Sequence, residues 1–270
     1  MAGSGPANAA DPAEAAMAER LDGTVALITG ASSGIGAATA LELAGLGAAV
    51  SLVARRSDRL EELATTIRGQ GGTVLVLKAD ITDEPQAREV VERTAAELGR
   101  LDTLVNNAGV MLLGPVEDAP LSEWQRMINI NLLGLLSCTH AALPLLLDAV
   151  ESSPRRVADI VNISSVAGRT VRGGSAVYNA TKHGVGAFTE ALRQEVTRRY
   201  LRVSVLEPGA VETELVSHNR PQIRSGLEAR FEEQERIQAA DIAEIVGFIV
   251  TRPRRTAVNE VLVRPTDQER

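Results

Sequence analysis

Short apolar runs alternate with longer segments of helical periodicity through most of the 270-residue chain. Runs of about four to eight apolar residues are typical of buried strands, and apolar residues recurring every three or four positions indicate amphipathic helices. Because strands and helices alternate, the pattern predicts an α/β fold with parallel strands joined by right-handed crossovers. Predicted strands span residues 25–28, 48–54, 72–79, 101–105, 160–163, 202–206 and 258–263. Predicted helices span residues 37–46, 84–98, 123–150, 176–199 and 241–250, and a further helix ends near residue 68.

This alternation fits one domain, because α/β folds of this length are commonly single. We therefore expect residues 21–270 to form a doubly wound parallel sheet of about seven strands with helices on both faces. Residues 1–20 lack the basic start and apolar core of a signal peptide, and they predict a flexible arm. Residues 217–235 are charged and of uncertain order, and the segment 214–236 is expected to cover a substrate.

A glycine turn follows the first predicted strand and leads into the first helix. Gly30, Gly34 and Gly36 are spaced G-x-x-x-G-x-G, which differs from the G-x-G-x-x-G form of many dinucleotide sites. A turn without side chains lets backbone N–H groups at a helix N-terminus face an anion. The turn predicts a phosphate-bearing ligand, with a tight strand-to-helix connection and no ligand as the alternative.

The end of the second strand bears on which dinucleotide would bind. Folds that bind NAD usually carry an acidic residue there for the ribose 2′-hydroxyl, whereas a 2′-phosphate favours arginine. Here the strand ends in Ala54 and is followed by Arg55 and Arg56, which favours NADP(H) over a merely solvated basic loop. Asp80, after the third strand, is either the N-cap of the next helix or an adenine contact.

The helix predicted at 123–150 is apolar on more than one face. Such a helix in a soluble chain suggests a subunit interface in addition to packing on the sheet. A membrane span is disfavoured because Asn131, His140, Pro144 and Asp148 interrupt the apolar run.

Composition and charge narrow the possible partners. The chain is 44% hydrophobic but 2% aromatic, so the core must be aliphatic. A net charge of −7 with interspersed signs argues against a nucleic-acid or anionic-membrane surface. The single cysteine, Cys138, excludes an internal disulfide, favours a reducing, cytoplasmic location and is expected to be an inert buried thiol. His140, His183 and His218 lack metal-ligand spacing, so no metal site is predicted.

Three polar residues suggest carbonyl chemistry by hydride transfer. Tyr178 and Lys182 stand four residues apart on one predicted helix face, and Ser165 follows the fifth strand. Reduction of a carbonyl needs a proton donor, and we expect Lys182 with an oxidised nicotinamide to lower the tyrosine's pKa. Ser165 can donate a hydrogen bond to the substrate oxygen. Arg169 and Arg172 are either ligands for a substrate carboxylate or residues of a solvated loop.

Taken together, these motifs resemble the short-chain dehydrogenase/reductase family over residues 21–264. The matching motifs are Thr29-Gly-Ala-Ser-Ser-Gly-Ile-Gly36, Asn106-Asn-Ala-Gly109, Asn131, Ser165, Tyr178-x-x-x-Lys182 and Pro208-Gly209 with Thr213. The resemblance implies a Rossmann fold and an NADPH-dependent, reversible reductase of a small ketone or aldehyde. A catalytically idle NADPH-binding sensor or scaffold is the alternative of another class. A nucleotide-sugar epimerase or dehydratase is an alternative enzyme, for whose substrate domain the short C-terminal segment leaves little room.

The same resemblance implies residue roles. Tyr178 would be the acid–base residue, Ser165 would orient the carbonyl, Lys182 would hold the ribose hydroxyls, and Asn131 would position a water. It also implies a homotetramer or homodimer through helices 123–150 and 176–199. Segments 109–118 and 263–268 are further similar to actinobacterial reductases of the clavaldehyde dehydrogenase type. The implied cofactor-binding residues are Gly30, Ser32, Ser33, Gly34, Ile35, Gly36, Arg55, Arg56, Asp80, Ile81, Asn107, Ala108, Gly109, Tyr178, Lys182, Pro208, Gly209, Val211 and Thr213.

Overall fold

A computed structural model of the protein describes residues 20–232 and 235–269. Seven parallel strands form one sheet in the order β3-β2-β1-β4-β5-β6-β7. This confirms the predicted single-domain, doubly wound α/β fold with about seven strands. The strands are β1 (Val25–Thr29), β2 (Ala49–Ala54), β3 (Val74–Lys78), β4 (Thr103–Asn106), β5 (Ala158–Ile163), β6 (Leu201–Pro208) and β7 (Glu260–Val263).

Helices cover both faces of the sheet. Buried residues of α1, α2 and α8 share one hydrophobic core, and those of α3, α5 and α6 share the other. Both cores are almost entirely aliphatic, as the composition predicts. The helices are α1 (Gly34–Gly45), α2 (Ser57–Gly69), α3 (Glu84–Leu98), α4 (Leu121–Ile128), α5 (Leu135–Ser152), α6 (Ala176–Val196), α7 (Pro221–Glu232) and α8 (Ala239–Thr251).

The strand order reverses between β1 and β4. From β1 the chain builds outward to β2 and β3, and then it returns to β4 and builds in the other direction. Open α/β sheets bind ligands in the crevice at such a switch point, outside the carboxyl ends of the strands. The topology therefore fixes where a site is expected before any side chain is considered.

The helix predicted at 123–150 differs from the structure in one respect that matters for the site. It is α4 and α5 joined by a π-helical turn, Asn129–Gly134. The wider turn presents the Asn131 side chain to the backbone of Val110, with which it exchanges two hydrogen bonds. A tertiary contact therefore sets this local geometry, which apolar periodicity does not indicate.

Three other predictions concern a helix cap, the charged segment and the N-terminal arm. Asp83, not Asp80, caps α3, because its carboxylate accepts a hydrogen bond from the Gln86 N–H. The charged segment at 217–235 contains α7. The arm predicted at 1–20 lies outside the described residues except for Arg20, and the segment 214–236 lies outside them at residues 233 and 234.

One stretch of the described chain, Leu121–Ser152, is long and apolar enough to cross a bilayer by length and composition alone. Core helices of soluble proteins pass the same test. In this fold its buried residues, among them Cys138, Ala142 and Leu146, pack in the core against the sheet.

A buried arginine connects β6 with β5, with the end of α8 and with the loop before β7. The Arg202 guanidinium on β6 donates two hydrogen bonds to the Asp159 carboxylate on β5, at 2.7 and 2.8 Å. It also donates to the carbonyls of Val250 and Arg252 at the end of α8, and to that of Thr256 in the loop before β7. Both side chains of the ion pair are almost fully buried, and Arg155 lies 3.6 Å from the same carboxylate, so the Asp159 charge depends chiefly on Arg202.

We predict that Arg202→Met lowers the free energy of unfolding by about 3–5 kcal/mol, because it removes both hydrogen bonds to the buried Asp159 carboxylate and leaves it only the longer contact with Arg155, at 3.6 Å. Urea denaturation followed by circular dichroism measures the change. The matched control is Arg88→Met, which breaks the exposed pair with Glu84 on α3 and should cost less than about 1 kcal/mol. Equal losses in the two variants would contradict the assignment.

Candidate active site

A cavity of about 320 Å³ opens at the carboxyl edge of the sheet, where the strand order reverses. Residues at the carboxyl ends of the first six strands line it. All predicted site residues except Gly34, Gly36 and Asn131 contribute to this lining. They are Gly30, Ser32, Ser33, Ile35, Arg55, Arg56, Asp80, Ile81, Asn107, Ala108, Gly109, Ser165, Tyr178, Lys182, Pro208, Gly209, Val211 and Thr213.

The glycine turn after β1 packs against the loop after β4. A Cβ on Gly30 would lie 2.8 Å from the Ala108 Cα, and one on Gly36 would collide with the Asn107 side chain and the Gly30 carbonyl. Gly30 and Gly34 also have positive φ values, 68° and 53°, which favour glycine. The spacing of these glycines is therefore set by backbone conformation and close approach.

The same turn leaves the N-terminus of α1 open to an anion. Its N-cap residue, Ser33, makes no side-chain capping hydrogen bond, and the first turn of α1 contains no acidic residue. Unpaired N–H groups and the helix dipole favour negative charge at such a position. The glycine turn and the N-terminus of α1 therefore fit the phosphates of a dinucleotide.

Arg56 lies across this turn. Its guanidinium donates hydrogen bonds to the Ser32 hydroxyl at 3.0 Å and to the Ser33 hydroxyl at 2.7 Å. On its other side it donates to the Glu214 carboxylate at 2.8 Å. Arg55 lies 3.6 Å from the carboxylate of Asp80. Both arginines line the cavity, and Arg56 lies beside the hydroxyls of the turn, where it can bind a phosphate.

Ser165, Tyr178 and Lys182 converge in the same cavity. Tyr178 and Lys182 project from one face of α6, and the ammonium nitrogen lies 5.9 Å from the centroid of the phenol ring. The Lys182 Nζ donates to the carbonyl of Ile163 at the end of β5, at 2.9 Å. The Ser165 hydroxyl hydrogen-bonds the phenol and accepts from the N–H of Ala167. The predicted proton donor, its neighbouring cation and a hydrogen-bond donor are therefore assembled.

Burial dominates the pKa values of this group in the protein alone. Burial raises the pKa of Tyr178 to about 12, opposed by the hydrogen bond from Ser165. Burial also lowers the pKa of Lys182 to about 8. Desolvation disfavours both charged forms, and it is the largest cause of both shifts in the protein alone. The predicted lowering of the tyrosine pKa therefore depends on a further positive charge, such as that of an oxidised nicotinamide.

Asn131 lies beside the cavity and does not line it. Its side-chain oxygen accepts from the N–H of Val110 at 2.7 Å, and its nitrogen donates to the Val110 carbonyl at 2.9 Å. The nitrogen is also 3.2 Å from the Thr181 hydroxyl on α6. Asn131 thus connects the loop after β4 with the helix that carries Tyr178 and Lys182, and its predicted role toward a water stays a prediction.

The segment after β6, which the sequence predicts to cover a substrate, contributes cavity residues that are not individually predicted as site residues. A short 3₁₀ turn, Glu214–His218, places Glu214, Leu215 and His218 in the lining. The buried side chain of Asn219 then accepts from the Leu113 N–H at 2.8 Å and donates to the Met111 carbonyl at 3.0 Å. An asparagine in a charged segment gives no periodic signal, so neither contact could be read from the sequence.

Arg169 is held away from the cavity by two acidic residues. Its guanidinium bonds to the carboxylate of Glu207, which is buried, and to that of Glu260. Neither Arg169 nor Arg172 lines the cavity. For Arg169 the geometry favours structural pairing over the alternative of a substrate carboxylate ligand.

Two smaller expectations can be compared with the described residues. Cys138 is fully buried, and burial raises the pKa of its thiol to about 12, which confirms an inert thiol. In residues 20–232 and 235–269, no group of three or more His, Cys, Asp or Glu side chains is arranged to hold a metal ion.

Comparison with known proteins agrees with this geometry. The family model described as short chain dehydrogenase matches residues 24–224. The chain is 37% identical to sulfoacetaldehyde reductase 2 of Chromohalobacter salexigens over 90% of its own length and 95% of that protein. It is 36% identical to an uncharacterized oxidoreductase of Staphylococcus saprophyticus, over 90% of its own length and 96% of that protein.

A solved structure shows the same fold. The chain superposes on the closed form of serine dehydrogenase complexed with NADP+ with a TM-score of 0.84 and 29% identity, covering 92% of this chain and 97% of that one. The fold, the residues gathered at the sheet edge and these similarities lead to one conclusion. The chain belongs to the short-chain dehydrogenase family, whose members are oxidoreductases that act on CH–OH and C=O groups.

Proposed function

We propose that the protein is an NADPH-dependent reductase that converts a small ketone or aldehyde to an alcohol and also catalyses the reverse reaction. The observation that carries the proposal is the convergence of Ser165, Tyr178 and Lys182 in one cavity with the arginines that follow β2. The names of two similar proteins, a sulfoacetaldehyde reductase and a serine dehydrogenase, support a small substrate. The similarity of segments 109–118 and 263–268 to clavaldehyde dehydrogenase-type reductases stays a prediction.

The residues present fit an NADP(H) cofactor. The glycine turn and the N-terminus of α1 would hold the phosphates, and Asp80 with Ile81 would contact the adenine side. Arg55 and Arg56 would bind the 2′-phosphate, with the serine hydroxyls of the turn beside them. When bound, the nicotinamide supplies the hydride to the carbonyl carbon or accepts it from the alcohol.

Tyr178 would move the proton. Its raised pKa keeps the phenol protonated at neutral pH, so it can donate to a carbonyl oxygen that gains negative charge during reduction. Ser165 would hold the same oxygen by a hydrogen bond that strengthens as charge develops. In the direction of oxidation, protonated Lys182 would stabilise the phenolate that accepts the alcohol proton, and it would bind the ribose hydroxyls.

A catalytically idle NADPH-binding sensor or scaffold is the rival function. Loss of the proton donor or its cation would favour it, but Ser165, Tyr178 and Lys182 are all present in the cavity. Cofactor binding without turnover of any carbonyl compound would revive it.

We also propose that the protein acts as a homodimer or homotetramer through residues 121–152 and α6. Leu121, Ile128 and Leu133 support this, because their side chains are 62%, 40% and 48% exposed on one continuous helical stretch. We propose a cytoplasmic location and no nucleic-acid or membrane partner, in keeping with the net charge of −7 and the single cysteine.

Tyr178→Phe tests the proton donor. It should lower kcat for carbonyl reduction by about 10²–10⁴-fold and leave NADPH binding intact, because only the hydroxyl is removed. NADPH consumption on a panel of small ketones and aldehydes measures turnover, and fluorescence titration measures binding. Tyr200→Phe is the matched control, since Tyr200 is 43% exposed and lies over Arg254. Near wild-type turnover by Tyr178→Phe would disprove the mechanism.

Replacing Arg55 and Arg56 together by alanine tests the cofactor. The affinity for NADPH should fall by about tenfold to a hundredfold, and that for NADH by less than about threefold, because only NADPH carries the 2′-phosphate. Calorimetric titration with each cofactor gives the ratio. Arg68→Ala, which breaks an exposed pair with Glu61, should change neither affinity. A parallel loss for both cofactors would count against NADP(H).

Lys182→Met tests the cost of the buried ammonium. Burial lowers the folded-state pKa from 10.5 to about 8, so the penalty is fully present below pH 8 and declines as the pH approaches 10.5. Relative to the wild type, the free energy of unfolding of the variant should therefore be higher at pH 7 than at pH 10 by about 1–3 kcal/mol, because the lost hydrogen bond to the Ile163 carbonyl is a cost at both pH values; turnover should be abolished. Urea denaturation at pH 7 and at pH 10 measures the free energy of unfolding, and NADPH consumption measures turnover.

Lys78→Met is the matched control for this substitution, because Lys78 is exposed at the end of β3. It should leave stability within about 0.5 kcal/mol of the wild type. If Lys182→Met were as unstable as a core deletion at both pH values, the ammonium would be a net stabilising group and the assignment would be wrong.

A further inference from the structure

The carboxylate of Glu214 accepts hydrogen bonds from two arginines, Arg56 and Arg59. The Oε2 of Glu214 accepts from Arg56 Nη1 at 2.8 Å, and its Oε1 accepts from Arg59 Nη1 at 3.2 Å. Glu214 belongs to the Glu214–His218 turn after β6, whereas both arginines follow β2. The two arginines and Glu214 therefore link opposite sides of the cavity mouth.

The other side of Arg56 is already in use. Its Nε and Nη2 groups donate to the hydroxyls of Ser32 and Ser33. A guanidinium presents its donors in a fixed planar fork, so a further anionic acceptor must approach from the Nη1 side. Glu214 holds that position, and its carboxylate would also repel a phosphate brought close to it.

The electrostatics of the pair agree with this geometry. The hydrogen bond from Arg56, followed by the charges of Arg56 and Arg59, lowers the pKa of Glu214, although partial burial opposes the shift. Glu214 is therefore a charged carboxylate at neutral pH. Among the residues lining the cavity, it is an anion placed where the proposed function puts a 2′-phosphate.

We infer that Glu214 is a specificity-determining residue that competes with the cofactor's 2′-phosphate for Arg56. This rests on the proposed function, because only NADP(H) carries that phosphate. Binding of the phosphate displaces the carboxylate and releases the Glu214–His218 turn from the arginines. NAD(H) leaves the pairing intact, so Glu214 lowers the preference for NADP(H) below what the arginines alone would give.

Glu214→Gln tests the inference with probes that need no turnover. Adenosine 2′,5′-bisphosphate carries the 2′-phosphate, and adenosine 5′-monophosphate differs from it only in lacking that group. The variant should bind the bisphosphate about three- to tenfold more tightly than wild type, with the monophosphate unchanged within about twofold. Calorimetry gives both affinities, and Glu214→Ala should likewise tighten binding of the bisphosphate and leave that of the monophosphate unchanged.

Glu212→Gln is the matched control. Glu212 lies two residues away and pairs with Arg236 and Gln238, so its loss removes the same charge without freeing Arg56. It should leave the ratio of the two affinities unchanged. A shift equal to that of Glu214→Gln would mean that net charge acts and would overturn the specific role.

Hydrogen exchange of the amides at 215–218 gives a second readout. In the wild type the bisphosphate should accelerate their exchange and the monophosphate should not, and Glu214→Gln should exchange fast without either probe. Unchanged exchange would overturn the displacement of the turn.

The two proposals fail separately. If wild type showed no preference for the bisphosphate, the NADP(H) assignment would be wrong and the inference would fall with it. If wild type showed the preference but Glu214→Gln did not raise it, only the role of Glu214 would be wrong, and the pair with Arg56 would be a surface contact of little energetic weight.

Discussion

Hydrogen bonds join the end of β1 to the loop after β4 at the switch point, beside the cavity. The Thr29 hydroxyl oxygen accepts from the N–H groups of Asn107 and Ala108 at 3.0 and 3.1 Å, and the Asn107 side chain donates to the carbonyl of Thr29 at 2.9 Å. These bonds satisfy backbone groups where two parallel strands end together, groups that would otherwise be costly to bury. The cavity can form beside them because glycines remove side-chain bulk from the same contact.

A second set of buried hydrogen bonds positions α6, which carries Tyr178 and Lys182, on the sheet. The Asn106 side chain on β4 donates to Thr139 on α5 and to Asn162 on β5, and Asn162 donates to Thr189 on α6. These hydrogen bonds are buried, where an unmatched partner is costly, so they permit one register of α6 on the sheet. That register brings Tyr178 and Lys182 to the cavity. The position of the proposed catalytic groups thus depends on asparagines that do not line the cavity.

The sequence predicted what depends on local pattern and short spacing. All seven strands could be predicted because each is a mostly apolar run, although β3 and β7 at the edges of the sheet are only partly buried. Helical spacing placed Tyr178 and Lys182 on one face, and the resemblance to the family supplied their expected roles. The π-helical turn at Asn131 and the pairing of Arg169 with Glu207 could not, since each depends on partners distant along the chain. The raised pKa of Tyr178 in the protein alone could not be predicted either, because desolvation is a property of the assembled fold.

The lone cysteine has a practical consequence. Cys138 is fully buried in the core, and the pKa of its thiol is raised to about 12. Alkylating reagents attack the thiolate of an accessible cysteine, so the folded chain is in effect thiol-free toward them. A cysteine introduced at the surface can therefore carry a single spectroscopic label, with the native residue left in place. Labels on either side of the cavity mouth would report its opening directly, without reference to any substrate.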